Sequence, residues 1–410
     1  MVANARLSRQ PWLFIAAGAV AALQVGKLPP ALPILQAQLE LSLVQSGFLL
    51  SAVQGSGMLL GMLLGQWGDA QGLRLSMIRG LLLLACASAV GGASSWLPGE
   101  WTVGVLLASR AVEGMGFLLT VLPGPALLRR TVAPERLSPF LGYWGTYMPT
   151  GMSLAVLIGP FWLQTASWAS WWLLFSGICL AMALALRSGV TPDPVRTDRA
   201  MNLSAVFGRL RLTLGAWGPW LIALMFCLYS AQWLAVVGFL PTIYAEAGVH
   251  GASLAVLTAL AAAVNAGGNM WSGRLLQRGW SFQATLLTGY GAMAWGSWMA
   301  FDPLTQPWPW LRYAGVLLFS CVGGLIPGTL FSLAVRLAPH PNLVGSTVGW
   351  MQQLSAFGQF WGPPLAAALA MAVGGWQMTW VFTCSCCVVG AVLAWRVARL
   401  PQARQSDHAH

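Results

Sequence analysis

The sequence predicts an all-α membrane protein of twelve transmembrane helices in two six-helix halves, with both termini in the cytoplasm. Three observations predict it. Of the 410 residues 57% are hydrophobic and 8% charged, against about a quarter charged in an ordinary soluble domain. The apolar residues fall in twelve runs, each long enough for a hydrocarbon core of about 30 Å, which needs roughly 20 residues of helix. The basic residues fall almost entirely at one end of those runs. With 31 charged residues, the chain cannot cover a water-facing surface of its own size, which excludes a soluble enzyme and a disordered chain. The formal net charge of +11 does not make it a nucleic-acid binder either, because the arginines lie in short loops and not on one polar face.

The runs are justified in order. The first, 12–35, follows Arg6 and Arg9 as a secretory leader would. It is too long for one, no small-residue cleavage site follows, and eleven more runs come after it. Pro29, Pro30 and Pro33 interrupt its backbone bonding. The second, 43–64, carries Gly57, Gly61 and Gly65 as a small-residue ridge. The third is 75–97, and the fourth, 101–127, carries Pro123-Gly124 near its end. The fifth, 138–164, contains Gly159-Pro160, and the sixth is 168–187. The second half repeats the plan at 215–240, 251–271, 282–301, 311–336, 343–370 and 376–397. The domains read as 1–187, a cytoplasmic linker at 188–214, 215–397 and a cytoplasmic tail at 398–410.

Orientation follows from the positive-inside rule. With the N-terminus inside, 18 of the 21 basic residues are cytoplasmic, Arg312 alone is outside, and Lys27 and Arg110 fall within runs. An odd or shifted number of spans would scramble that split. This places the chain in an inner (plasma) membrane, with attraction to anionic lipid as a side effect. All seven cysteines lie within runs, where packing is their ordinary role.

The halves carry matching punctuation. Gly65 matches Gly268 and Gly159-Pro160 matches Gly362-Pro363, both at an offset of 203. Pro123-Gly124 matches Pro327-Gly328 at 204, and Pro134 matches Pro339 at 205. Four matches in order at a nearly constant offset indicate an internal duplication. Two related six-helix halves are the organisation of a rocking transporter, with a substrate site expected between them near the midplane.

Two motifs carry a family resemblance. The loop after the second run reads Gly65-Gln66-Trp67-Gly68-Asp69-Ala70-Gln71-Gly72-Leu73-Arg74. It resembles the loop 2–3 signature of the major facilitator superfamily, with Gly65, Asp69, Gly72 and Arg74 in place and Ala70 where that family carries a base. Gly72 permits a tight turn, and Asp69 can cap a helix and pair with a cytoplasmic arginine. The second-half copy keeps Gly268, Gly273, Arg274, Arg278 and Gly279 but has no acid. Leu106, Arg110, Glu113, Gly114 and Gly116 resemble the same family's span-4 signature, with Glu113 in place of a glutamine. The glycine-rich antiporter signature of span 5 is incomplete, which argues against drug/proton antiport. Stretches 27–36, 142–152 and 353–365 are similar to the cyanate-permease-like branch. The resemblance implies the major facilitator fold, with spans 1, 4, 7 and 10 lining a central cavity and spans 8 and 11 at its flank.

Three charged residues lie well inside runs: Lys27, Arg110 and Glu113. Each costs roughly 2.5–3.5 kcal/mol or more at the bilayer centre if unpaired. Arg110 and Glu113 are three residues apart on one helix, so their side chains can meet. That pair reads either as an internal brace or as a proton-coupling site at Glu113 tuned by Arg110. Lys27, the only lysine in the chain, reads either as a paired structural residue or as an anchor for an anionic substrate, because two cations to one acid leave a net positive site. Gln24, Tyr147, Asn265 and Gln353 are the uncharged candidates for substrate contact, with interhelical bonding the plainer alternative.

The expected function is secondary active transport of a small anionic solute by alternating access, coupled to protons through Glu113. One alternative is an efflux pump for apolar or cationic compounds. Another is soft-metal (copper) transport through Met58/Met62, Met148/Met152 or Cys384/Cys387. No cofactor, no resident metal, no nucleic acid and no enzymatic activity are expected, and the oligomeric state expected is a monomer.

Overall fold

The computed structural model describes residues 2–133, 136, 140, 143–193, 203–340 and 343–399, with only the backbone described at 2–8, 62–71, 100, 203–206 and 209. Residues 194–202 of the expected linker and nearly all of the tail lie outside these residues. The described chain is helical from end to end. In order the helices are α1 (Val2–Gly26), α2 (Leu28–Leu39), α3 (Leu43–Gln71), α4 (Leu73–Ala93), α5 (Gly99–Val121), α6 (Gly124–Thr131), α7 (Tyr147–Thr165) and α8 (Trp168–Gly189). Then follow α9 (Leu203–Leu214), α10 (Trp217–Glu246), α11 (Gly251–Gln277), α12 (Phe282–Phe301), α13 (Pro309–Gly323), α14 (Leu325–Leu337), α15 (Val344–Val373) and α16 (Thr379–Val397).

Ten of these helical stretches are long and apolar enough to cross a bilayer, counting α1–α2, α5–α6 and α13–α14 as one stretch each. The expected fifth and ninth runs are also helical, as α7 and α12, but are not among the ten. The breaks have local causes. Between α1 and α2 only Lys27 leaves the helix, and it keeps helical dihedrals (φ −68°, ψ −26°). Pro29 and Pro30 follow and cannot donate to the turn before them. Pro123 and Pro125 likewise split α5 from α6.

Lipid is the only solvent that suits the surface. Leu59, Ile158, Leu184, Leu365 and Val388 are exposed on helix faces, where water would penalise them. Trp96 (85% exposed) and Trp101 (71%) stand near helix ends in the first part of the chain, and Trp217 (78%) and Trp310 (70%) at the starts of α10 and α13. Amphipathic rings at both ends of the spans form the aromatic belts of an integral membrane protein.

The helices sort into two compact units. The first comprises Met1–Ser42, Phe48–Met201 and Leu240–Ala259, the second Leu43–Gly47, Asn202–Phe239 and Leu260–His410. In the first, α4 packs on α5 and α8, and α1 packs on α7 and α8. Gly114 is required there: a Cβ on it would collide with the carbonyl of Val53 on α3, and Ser56 Oγ donates to Ala111 O at 2.6 Å across the same contact. In the second, α12 packs on α13 and α16. Tyr290 donates to Met225 O at 2.7 Å, and the hydroxyls of Ser297 and Thr383 bond at 2.5 Å.

Candidate functional site

The first unit gathers its intramembrane charges at one point. The interruption at Lys27 presents its side chain from span 1, while one turn of α5 presents Arg110 and Glu113. Lys27 Nζ lies 2.6 Å from Glu113 Oε1, and Arg110 Nη1 lies 2.7 Å from Glu113 Oε2. Each carboxylate oxygen therefore has its own cation. Lys27 completes its three donors at Gln24 Oε1 (2.6 Å) and Ser88 Oγ (2.7 Å). Arg110 Nη1 also donates to the Gln24 carbonyl at 2.5 Å.

A ring of neighbours holds this cluster. Gln24 Nε2 donates to Cys179 Sγ at 3.0 Å, Ser88 Oγ to Trp172 O at 2.9 Å, and Trp171 Nε1 to Lys27 O at 2.9 Å. The ammonium of Lys27 sits 4.9 Å from the centre of the Trp172 ring, within cation–π range. Lys27, Arg110, Glu113 and Gln24 all have no exposed surface. The resemblance implied charges on or near a central cavity, facing protein or water; in this unit they face protein. The physical reason is the cost of an unpaired charge at this depth, which pairing within the unit removes.

Two features of the cluster stay unbalanced. Two cations face one carboxylate, so it carries a net positive charge when Glu113 is ionised. Arg110 Nε and Nη2 and Trp172 Nε1 have no acceptor among the described residues although they are buried. A buried donor left without a partner costs about 1–3 kcal/mol. The free Nε–Nη2 edge of a guanidinium has the geometry for two parallel bonds to one carboxylate-like anion.

The other candidates are placed elsewhere. Tyr147, on α7, has its ring 5.1 Å from Trp144 and 6.4 Å from Phe117 and makes no bond to the cluster. Asn265 belongs to the second unit, where its amide donates to Tyr229 Oη (2.9 Å) and Ser320 O (2.8 Å). Asn269 Nδ2 donates to Asn265 Oδ1 at 3.1 Å, so this is a neutral, internally satisfied network. Gln353 is half-buried on α15 of the same unit. Cys384 Sγ donates to Ala294 O at 3.5 Å and Cys387 Sγ to Gln232 Oε1 at 3.2 Å. Among the described residues no group of three or more His, Cys, Asp or Glu side chains could hold a metal ion.

Of the loop motif, Gly65 and Asp69 are described in their backbone alone. Gly72 has φ +107°, a conformation that glycine adopts without strain. The N-terminus of α4 is met by Asp193: the N–H groups of Arg74 and Leu75 donate to its two carboxylate oxygens at 3.3 and 3.1 Å. Asp193 also pairs with Arg130 Nη1 at 3.1 Å, and Arg74 Nη2 donates to Arg187 O at 2.6 Å. Sequence reasoning assigned Asp193 only to a linker. Its position between Pro192 and Pro194, just after a span, was the available signal. Ser88, Trp172 and Cys179 were also missed, having no periodicity that separates them from packing residues.

With this geometry in hand, the comparisons are specific about fold. A family model described as Major Facilitator Superfamily matches residues 14–363. No curated protein sequence matches the chain. Among solved structures, a D-xylose-proton symporter is 16% identical, with 97% of this chain and 98% of that one covered at a TM-score of 0.74. The inward-open xylose transporter XylE from E. coli is 12% identical over 95% and 96% at 0.77. A bacterial homologue of the human lysosomal transporter Spinster is 14% identical over 96% and 97% at 0.74. At these identities the likeness is one of fold.

Proposed function

Because the chain belongs to the major facilitator superfamily, and is therefore an integral membrane transporter and not an enzyme, we propose that it moves a small anionic solute by alternating access, with Glu113 as the proton-coupling group. The observation that carries this reading is the unbalanced cluster: two cations on one carboxylate, with the Nε–Nη2 edge of Arg110 buried and unpartnered. One monovalent anion on that edge brings the charge to zero and supplies the missing acceptors. A cation there would add to an existing positive charge, which sets cationic efflux aside. Protonation of Glu113 releases both Lys27 and Arg110 from the carboxylate, so proton and anion act on the same donors and their binding is linked. Lys27 and Arg110 hold the anion in this scheme, and Gln24 and Ser88 position Lys27. Asn265, Tyr147 and Gln353 are proposed as uncharged contacts to the remainder of the solute. Placement in the cyanate-permease-like branch and in a bacterial inner membrane belongs to the same proposal.

The test is a thermal-shift screen of purified protein against small monoanions, neutral sugars and cations, since a ligand of the native state raises apparent stability. The reading expects at least one monoanion to raise Tm in the parent and not in Lys27→Met. Stabilisation by a neutral sugar or a cation that survives Lys27→Met would contradict it.

A further inference from the structure

The two units treat their arginine-rich ends differently. In the first, Asp193 lies against the N-terminus of α4 and is paired with Arg130 at the end of α6. The counterpart of α4 in the second unit is α12, and the counterpart of α6 is α14. Arg336 stands at the end of α14, 206 residues after Arg130. Its guanidinium lies 4.4 Å from the centre of the Phe282 ring, in the first turn of α12. No acid among the described residues pairs with it. At the 208-residue spacing that relates Cys179 of α8 to Cys387 of α16, the counterpart of Asp193 is Pro401, and the nearest charged residue is Arg399.

The register of α12 and α16 brings this second arginine to the same level. The helices run antiparallel, with Ser297 bonded to Thr383 and Tyr290 against Gly390. Continuing by two turns places Ala398 opposite Phe282. Arg336, Arg396 and Arg399 are all exposed, and none has a carboxylate partner among the described residues. Over the stretches that make up the second unit the sequence has only two acids, Asp302 and Asp407. Asp302 caps the turn after the far end of α12, where it accepts from Leu304 N at 2.9 Å. Asp407 is in the tail beyond the described residues.

We propose that this arginine-rich end of the second unit is a docking surface for an anionic phospholipid, whose headgroup phosphate takes between Arg336 and Arg399 the place that Asp193 takes beside Arg130. The positive-inside distribution assigns this end to the cytoplasmic leaflet, where anionic headgroups lie. Trp395, whose ring carries the Arg399 guanidinium at 3.3 Å, and Trp280 are both exposed beside it. Rings of this kind sit at headgroup level, which favours a lipid over a free ion. The surface is independent of the transport reading: it uses none of the residues of the buried cluster.

The experiment uses delipidated full-length protein, phosphatidylglycerol and phosphatidylcholine added at equal concentration, and inorganic phosphate as a third arm. Tm and retained lipid by native mass spectrometry are read for the parent, Arg336→Gln/Arg399→Gln, Arg399→Asp and the control Arg129→Gln on the first unit. Phosphatidylglycerol is expected to raise Tm and to remain bound in the parent and in Arg129→Gln. Phosphatidylcholine and phosphate are expected to leave Tm where it was. The double variant is expected to lose the shift and the adduct. Arg399→Asp builds the missing partner for Arg336 and is expected to be as stable without the lipid as the parent is with it. An equal shift and adduct in parent and double variant, or an equal shift with inorganic phosphate, would overturn the proposal.

Discussion

The two units share one architectural device and differ in what surrounds it. In the first, Gln24 is bonded to Cys179; in the second, Gln232 is bonded to Cys387. Both residues of the second pair stand 208 positions after those of the first. The same span-1-to-span-6 contact thus survives in both halves of the duplication. Around Gln24 lie Lys27, Arg110 and Glu113. At the same spacing Lys27 corresponds to Ala235, Arg110 to Leu318 and Glu113 to Cys321. The polar interior of the second unit is neutral instead, made by Tyr229, Asn265, Asn269 and Ser320. The difference teaches that charge is not needed to build this helical unit. Its presence in one copy alone is the difference on which the proposed anion site rests.

The comparison breaks most easily at Glu113. Removing the sole carboxylate leaves two buried cations facing each other, and losing one partner of a buried pair costs about 3–5 kcal/mol. Glu113→Gln is expected to lose stability on that scale in denaturant or thermal unfolding, with the response of transport to a proton gradient lost. Asn265→Ala, which empties the neutral network of the other unit, is expected to cost about 1–3 kcal/mol. Equal losses would remove the distinction between the units.

Lys27→Met sharpens the same point. It leaves Arg110 and Glu113 as a neutral pair, so the expected loss of stability is clearly smaller than for Glu113→Gln, while anion binding is abolished. The Gln–Cys pairs come next. Gln24→Leu withdraws an acceptor from a buried ammonium and is expected to cost about 1.5–3 kcal/mol, as for a hydrogen bond to a charged group. Gln232→Leu removes a bond to a thiol and is expected to cost about 1 kcal/mol or less. The smallest effect is at Asp193, whose pairing partner Arg130 is 38% exposed. Asp193→Asn keeps acceptor capacity at the N-terminus of α4 and loses mainly a surface ion pair, for about 1 kcal/mol or less.

Much of this was legible in the sequence. The apolar runs, the break at Pro29-Pro30 and the pairing of Arg110 with Glu113 follow from hydropathy, proline chemistry and helical spacing; the break at Pro123 was not read from the sequence. Lys27 stood out because charge at depth is scarce and costly. That Lys27 would join Glu113 was not legible, because the contact spans 86 positions and only packing sets it. Nor was the enclosure by Ser88, Trp171 and Trp172, since serine and tryptophan in apolar helices carry no pattern that separates a charge-holding residue from a packing one. Asp193 escaped for the opposite reason: it lies in a polar stretch where an acid is unremarkable until the fold brings it to α4.

The central claim is that the net positive cluster of the first unit selects an anion. The most direct measurement is uptake by purified protein in proteoliposomes, under an inward proton gradient, of a labelled monoanion that raises Tm. The account predicts uptake in the parent that rises with the gradient, falls at least about tenfold in Lys27→Ala, as expected for loss of one charge-assisted contact of about 1.4 kcal/mol or more, and no longer responds to the gradient in Glu113→Gln. Anion uptake in Lys27→Ala at the parental rate, with Glu113→Gln still driven by the gradient, would contradict it.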